Sequence, residues 1–173
     1  MNLSFPERIR VDAIIQAAMD MEAAPLLHAL TPIGDDETPQ AILAGSHKTQ
    51  RFVLGILDGR TVLVVTSGIG LANAASATAR ALTLVDAPIV IAAGTTGGLA
   101  RDINVGDIAA GTIAFYGQAD DTAFGNAMSQ VPIQPVEYNT YDADVARLDE
   151  MQALITHTVS EGRIDYSDSL STA

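Results

Sequence analysis

Cysteine is absent from the 173 residues, which excludes a disulfide framework, thiolate chemistry and any zinc site built on sulfur. Basic side chains are scarce: nine Lys and Arg stand against 21 Asp and Glu, for a net charge of -12. No local cluster of Lys or Arg offsets that balance, which repels phosphate backbones and anionic lipid surfaces and argues against nucleic-acid and membrane partners. His28, His47 and His157 are scattered, without metal-ligand spacing or a serine-histidine-acid arrangement, so no metal and no cofactor is expected. Residues 1–10 mix charge with Pro6 and lack the apolar core of a signal peptide, and no run reaches membrane-spanning length. A cytoplasmic protein is the expectation. Internal repeats and low-complexity tracts are absent too.

What remains is rich in Ala, Val, Ile and Leu, with 48% hydrophobic and 17% charged residues. This composition suits a buried sheet covered by helices, and the length suits one domain over residues 1–173. The expected class is α/β, with a mixed central sheet and helices on both faces.

The run Val90 to Ala93 reads as a buried central strand, breaking into Gly94-Thr95-Thr96-Gly97-Gly98 at the end where open α/β sheets place ligands. Its glycines permit close approaches that side chains would block, and its threonines supply hydroxyls. A ligand turn and a tight structural turn both fit this pattern. Upstream, Arg10 to Ala18 reads as a first strand and Met19 to Leu30 as a helix with acids in its first turn. Pro25 is expected to be tolerated by lying near the helix start. Glu22 then falls at a strand-to-helix junction, either as a functional acid or as an aid to helix initiation.

Asp35, Asp36 and Glu37 read as a solvated loop, without the ligand alternation of a calcium site. Ala41 to Gly45, Arg51 to Leu57 and Thr61 to Thr66 read as strands, the last two joined by the hairpin signal Asp58-Gly59. Ser67-Gly68-Ile69-Gly70 then opens the small-residue helix Leu71 to Leu84; its glycines fit either anion binding or close helix packing. Val105 to Phe115 is read as extended. Gln118 to Val136 is a long irregular stretch in which Phe124 is either an interface anchor or a core plug. A helix over Asp142 to Val159 and a strand over Gly162 to Leu170 complete the reading.

Five motifs, in order and spacing, resemble one family: Ile14-Ile15-Gln16-Ala17-Ala18-Met19-Asp20-Met21-Glu22, Ser67-Gly68-Ile69-Gly70, Gly94-Thr95-Thr96-Gly97-Gly98-Leu99-Ala100, Val105-Gly106-Asp107-Ile108 and Asp121-Thr122-Ala123-Phe124-Gly125. The family is the 5'-methylthioadenosine/S-adenosylhomocysteine nucleosidases of the nucleoside phosphorylase superfamily. The resemblance implies a mixed sheet flanked by helices, a homodimer, and hydrolysis of the bond between purine N9 and ribose C1' in methionine salvage.

By resemblance, Glu22 matches the acid that positions and deprotonates water, and Thr95 matches a serine that helps hold it. Ala18, Met19, Ile69, Thr96 and Gly97 match residues lining the ribose and base pocket. Phe124 and Pro132 match residues that reach into the neighbouring subunit's alkylthio pocket. The Gly-Asp-Pro-x-Arg type of phosphate site is missing from the first strand, which favours water over phosphate as acceptor.

Two departures accompany these matches. Leu170, in Tyr166-Ser167-Asp168-Ser169-Leu170, stands where an aromatic ring stacks on the base. The resemblance also covers only the front portion of a family member, ending before the Glu-Met-Glu segment that grips ribose and before the aspartate that protonates purine N7. A fragment of a longer enzyme, a degenerate member and a divergent protein with a rebuilt site all fit that ending. The alternative to a nucleosidase is a catalytically impaired relative that binds nucleosides or oligomerises.

Overall fold

The computed structural model describes residues 7–35, 37–42, 50–97, 104–106, 113–115, 120–127 and 140–142. The chain divides into two units, Met1–Thr96 and Gly97–Ala173, and each is taken by itself.

The first unit opens with β1 (Ile9–Arg10), β2 (Ala13–Ala17) and helix α1 (Asp20–Ala29), followed by β3 (Gln40–Ala41), β4 (Arg51–Leu57) and β5 (Arg60–Thr66). Helix α2 (Leu71–Leu84), β6 (Val85–Asp86) and β7 (Val90–Ala92) complete it. Five strands form one sheet in the order β3-β4-β5-β2-β7. β3, β4 and β5 pair antiparallel, whereas β2 runs parallel to both β5 and β7. The expected mixed sheet is therefore present. β1 and β6 form a separate parallel pair.

Alternation along the strands sends side chains to two faces, and each face carries a helix. On one face Ile14, Phe52, Leu54, Leu63 and Val65 pack with Ala77 and Ala81 of α2. The alanines let that helix lie close to the sheet. Phe52 is fully buried, and Arg80 lies over its ring, 5.0 Å from the centroid. On the other face Ala13, Ile15, Val62 and Val64 pack with Leu26, Leu27 and Leu30 from α1 and its cap. With the buried Ala23, these three leucines form a 23, 26, 27, 30 stripe, the spacing of one helical face.

The hairpin between β4 and β5 turns through Asp58 and Gly59, whose φ values of 48° and 74° are both left-handed. Two positive φ values make the primed turn that matches strand twist, and Asn, Asp and Gly tolerate it best. The turn fixes the register, with Leu57 opposite Arg60 and Arg51 opposite Thr66.

Three expectations need correction. Pro25 is not in the first turn but inside α1, where it removes an amide that would have bonded the carbonyl of Met21. Val90–Ala92 is not a buried central strand: among the described residues β7 is the last strand of its sheet, and Val90 is 42% exposed. An apolar run reports the capacity for burial, and among the described residues only β2 flanks it. Asp142, expected to begin a helix, closes a strand in the second unit.

That unit holds β8 (Ile113–Phe115) paired antiparallel with β9 (Thr140–Asp142), and one 3-10 turn over Thr122–Phe124. Asp120, just before this turn, accepts from the Thr122 hydroxyl at 2.8 Å and amide at 3.2 Å, contacts that hold its carboxyl below the usual range. Of the expected strand from Ala41 to Gly45, residues 43–45 lie outside the described residues. So do Pro132, Leu170 and the expected elements beyond Asp142.

Candidate functional site

The parallel strands β5, β2 and β7 release their carboxyl ends side by side. The amide of Ser67 donates to the carbonyl of Ala17 at 2.8 Å, and that of Ala93 donates to Gln16 at 2.8 Å. β2 thus anchors both neighbouring exits. Ser67 is 1% exposed, and its hydroxyl is within reach of the carbonyls of Gly68 at 2.9 Å and Ala17 at 3.2 Å.

Glu22 lies in the first turn of α1, and its carboxylate is the point where separate segments meet. Oε2 accepts from the amides of Ala18 and Met19, both at 3.0 Å. Oε1 accepts from the amide of Thr95 at 2.9 Å and from its hydroxyl at 2.7 Å. A carboxylate has about four lone-pair sites, so this set fills it. The same side chain caps its own helix, by way of the Met19 amide, and ties that helix to the turn after β7. The helix-initiation reading of Glu22 that spacing left open is met by this geometry.

The Thr95 amide and hydroxyl, and then the Met19 and Ala18 amides, hold the Glu22 carboxyl below its ordinary value of 4.5, while desolvation opposes them. Donors aimed at the ionised form stabilise it. Gly94 is what lets the carboxylate sit there. A Cβ at that position would lie 3.1 Å from Oε1 and 3.2 Å from Cδ, closer than ordinary van der Waals contact. The close approach expected of this glycine turn is thus made to Glu22.

An open cavity of about 570 Å³ adjoins these elements, lined by Ala18, Met19 and Ile69 with Asp20, Gln50, Arg51, Thr66, Gly68 and Asn73. Three of the expected pocket residues therefore share one wall. Asn73 donates to the carbonyl of Ile69 at 2.8 Å, and Gln50 donates to the carbonyl of Asn73 at 3.3 Å while accepting from Arg80. This chain of contacts fixes the turn that carries Ile69. Thr96 and Gly97 follow Thr95 as exposed residues, and Phe124, in the second unit, is 84% exposed. Its exposure rules out the core-plug reading.

Arg51, Thr66 and Asn73 were not singled out by motif. The hairpin turn was the signal available, because counting seven residues away from it on each side sets Arg51 opposite Thr66. Among the described residues, no group of three or more His, Cys, Asp or Glu could hold a metal ion, and no helix is long and apolar enough to cross a membrane.

The sequence profile of the Phosphorylase superfamily matches residues 12–166, a span holding Glu22, Thr95 and the whole cavity wall. The 5'-methylthioadenosine/S-adenosylhomocysteine nucleosidase of Anoxybacillus flavithermus is 44% identical over 87 residues, which are 50% of this chain and 38% of that protein. The Staphylococcus aureus protein of that name is 31% identical over 155 residues, 90% of this chain and 64% of its own length. The crystal structure of the Neisseria meningitidis nucleosidase, in complex with methylthio-immucillin-A, matches with a TM-score of 0.73 at 30% identity. That match covers 90% of this chain and 62% of the Neisseria chain. This chain thus spans less than two thirds of the length of these relatives. With its mixed sheet, its two flanking helices and this extent of matching sequence, the chain belongs to the phosphorylase superfamily.

Proposed function

We propose that this chain carries the water-activating part of a purine nucleosidase site, acting on the N-glycosidic bond of an adenine thionucleoside such as 5'-methylthioadenosine or S-adenosylhomocysteine. The observation that carries the reading is the Glu22 carboxylate, held between α1 and the turn after β7 by donors from Ala18, Met19 and Thr95. In the reaction the C1'–N9 bond breaks with its electron pair leaving on the base. A water oxygen then bonds C1', and the water's proton passes to Glu22. A carboxylate also stabilises the positive charge that develops on the sugar.

The three amides on Glu22 are fixed by the backbone, whereas the Thr95 hydroxyl rotates. That hydroxyl is the donor that yields its place on Oε1 to water and then holds the water from the side. A carboxyl kept ionised is a weak base, and a weak base suffices when the electrophile is an oxocarbenium ion. The group that delivers a proton to the departing base is not assigned among the described residues. Ala18, Met19 and Ile69 are proposed to line the sugar and its 5' substituent, with Thr96 and Gly97 towards the base, and Leu170 is proposed as the counterpart of the family's base-stacking aromatic residue. No cofactor enters the scheme.

We further propose a cytoplasmic homodimer in which Phe124 and Pro132 of one protomer close the alkylthio pocket of the other. The 84% exposure of Phe124 supports this, since a large ring in water favours an apolar partner surface. A second reading, nucleoside binding without turnover, is favoured by the filled coordination of Glu22, which a purely structural cap would share.

Adenine release from methylthioadenosine, followed for the wild type and Glu22→Gln, separates the two. Loss of about a hundredfold to ten-thousandfold in the variant is expected for removal of a positioned base. Release that is unchanged in the variant removes Glu22 from the chemistry. Binding without release in the wild type establishes the second reading.

A further inference from the structure

The cavity beside Glu22 has one wall that the scheme above leaves idle. Arg51 and Thr66 stand directly opposite each other in the β4–β5 ladder, so their side chains share a face of the sheet. Thr66 is 5% exposed, and its hydroxyl has no hydrogen-bond partner among the described residues. An orphaned buried hydroxyl is unfavourable unless something fills its need. Across the cavity, Arg51 Nη2 lies 2.8 Å from Asp20 Oδ1. The side chains of this ion pair are 55% and 80% exposed, and the contact engages one nitrogen and one oxygen, leaving most of both groups facing solvent.

An ion pair lining an open cavity selects by the arrangement of charge. A free anion such as phosphate meets Arg51 but is repelled by Asp20, and by the general balance of -12. A lone cation meets the reverse. A zwitterion carrying both charges a bond or two apart satisfies each group with its opposite. We propose that Arg51 and Asp20 form a subsite for the α-amino-acid end of a nucleoside's 5' substituent. Arg51 donates to the ligand carboxylate, and Asp20 accepts from its ammonium. Ala18, Met19 and Ile69 supply the apolar path along which the thioether reaches that end. The pair thus determines specificity, favouring S-adenosylhomocysteine over methylthioadenosine, which has no charged end. This inference rests on the nucleosidase reading.

Calorimetric titration of the whole chain with each nucleoside tests it, in the wild type, Arg51→Met, Asp20→Asn and Arg51→Lys. A charge-assisted hydrogen bond corresponds to roughly tenfold to a hundredfold in affinity. Arg51→Met and Asp20→Asn are expected to weaken S-adenosylhomocysteine by that factor and to leave methylthioadenosine within about twofold. Arg51→Lys is expected to restore part of the loss, and added salt to narrow the preference. Exposed ion pairs contribute little to folding, and retained methylthioadenosine affinity reports an intact fold. Equal weakening of both ligands, or of neither, overturns the subsite while the nucleosidase reading stands. Wild-type binding of methylthioadenosine alone does the same. Failure of the wild type to bind either nucleoside overturns the nucleoside reading and this inference together.

Discussion

The two ends of the parallel strands each hold an open cavity of similar size. The one at the carboxyl ends measures about 570 Å³, and the one at the amino ends, lined by Arg10, Asp12, Thr61 and Asp86 among others, about 600 Å³. Each contains an arginine and at least one carboxylate, so neither volume nor the presence of both charges tells them apart. What differs is how the polar groups are used. At the amino ends, Asp12 accepts from the Thr61 amide at 2.8 Å, tying the approach to β2 to the start of β5, and Asp86 faces Arg8 at 3.7 Å. Asp12 fastens neighbouring backbone, and Asp86 is engaged by a side chain beside the β1–β6 pair. At the carboxyl ends, Glu22 gathers donors from beyond two adjacent strands, β2 and β7, a missing Cβ makes room for it, and a buried hydroxyl has no partner among the described residues. Convergence of remote donors, together with a polar group left unused, sets the carboxyl end of this sheet apart and is the ground for placing the proposed site there.

Breaking the convergence should have the largest effect. Gly94→Val places a Cβ 3.1 Å from Glu22 Oε1 and adds two methyl groups, crowding the carboxylate, and Gly94 has no left-handed backbone to strain. Adenine release is expected to fall on the order of a hundredfold, in line with loss of a positioned base. The melting temperature should fall as well, because the displaced carboxylate no longer ties α1 to the turn after β7, and full activity in this variant would show that the close approach has no bearing on function.

A smaller loss, about tenfold, is expected for Thr95→Val, which removes the rotating hydroxyl but keeps the amide. Thr95→Ser should recover most of it, as read from kcat/KM for the three proteins.

The same pair of variants sharpens the electrostatic side. Because the folded protein holds Glu22 below 4.5, the carboxylate form and its ties are fully present above that pH and are lost as pH falls through the lower folded value. The acid limb of kcat/KM is therefore expected below pH 4.5 in the wild type and displaced upward, towards 4.5, in Thr95→Val. A limb at the same pH in both would mean that Thr95 does not set it.

The smallest effect on activity is predicted for the amino end. Asp12→Ala removes a hydrogen bond to backbone and should cost about 1 kcal/mol of stability by denaturant titration. Adenine release should stay within about twofold of the wild type, as befits a group remote from the chemistry. A large activity loss here would erase the distinction between the two ends.

Local chemistry made much of this legible. Asp58-Gly59 specified its turn, and through it the register of two strands, because few residue pairs accept two positive φ values. The strip of leucines in α1 and of alanines in α2 announced which sides face the sheet. Tertiary facts were less visible. The meeting of Glu22 with Thr95 spans 73 residues of chain, and no spacing rule encodes it; only the ordered set of family motifs pointed there. The Val90–Ala92 run shows the converse failure, since periodicity measures apolar content and not the neighbours that will cover it. Pro25 misled for a related reason: packing of Leu26, Leu27 and Leu30 against the sheet carries α1 through a residue that local propensity would place nearer its start.

Because Glu22 is bound by three backbone amides, those of Ala18, Met19 and Thr95, the proposed base is wired to three nitrogen-bound protons. Each is a separate signal in an amide spectrum, and all three depend on one carboxylate. Whatever draws charge from Glu22, whether a proton, an ordered water or a sugar, must move those three resonances together and weaken their protection from solvent exchange in concert. The site thus carries its own indicator, readable without label or chromophore.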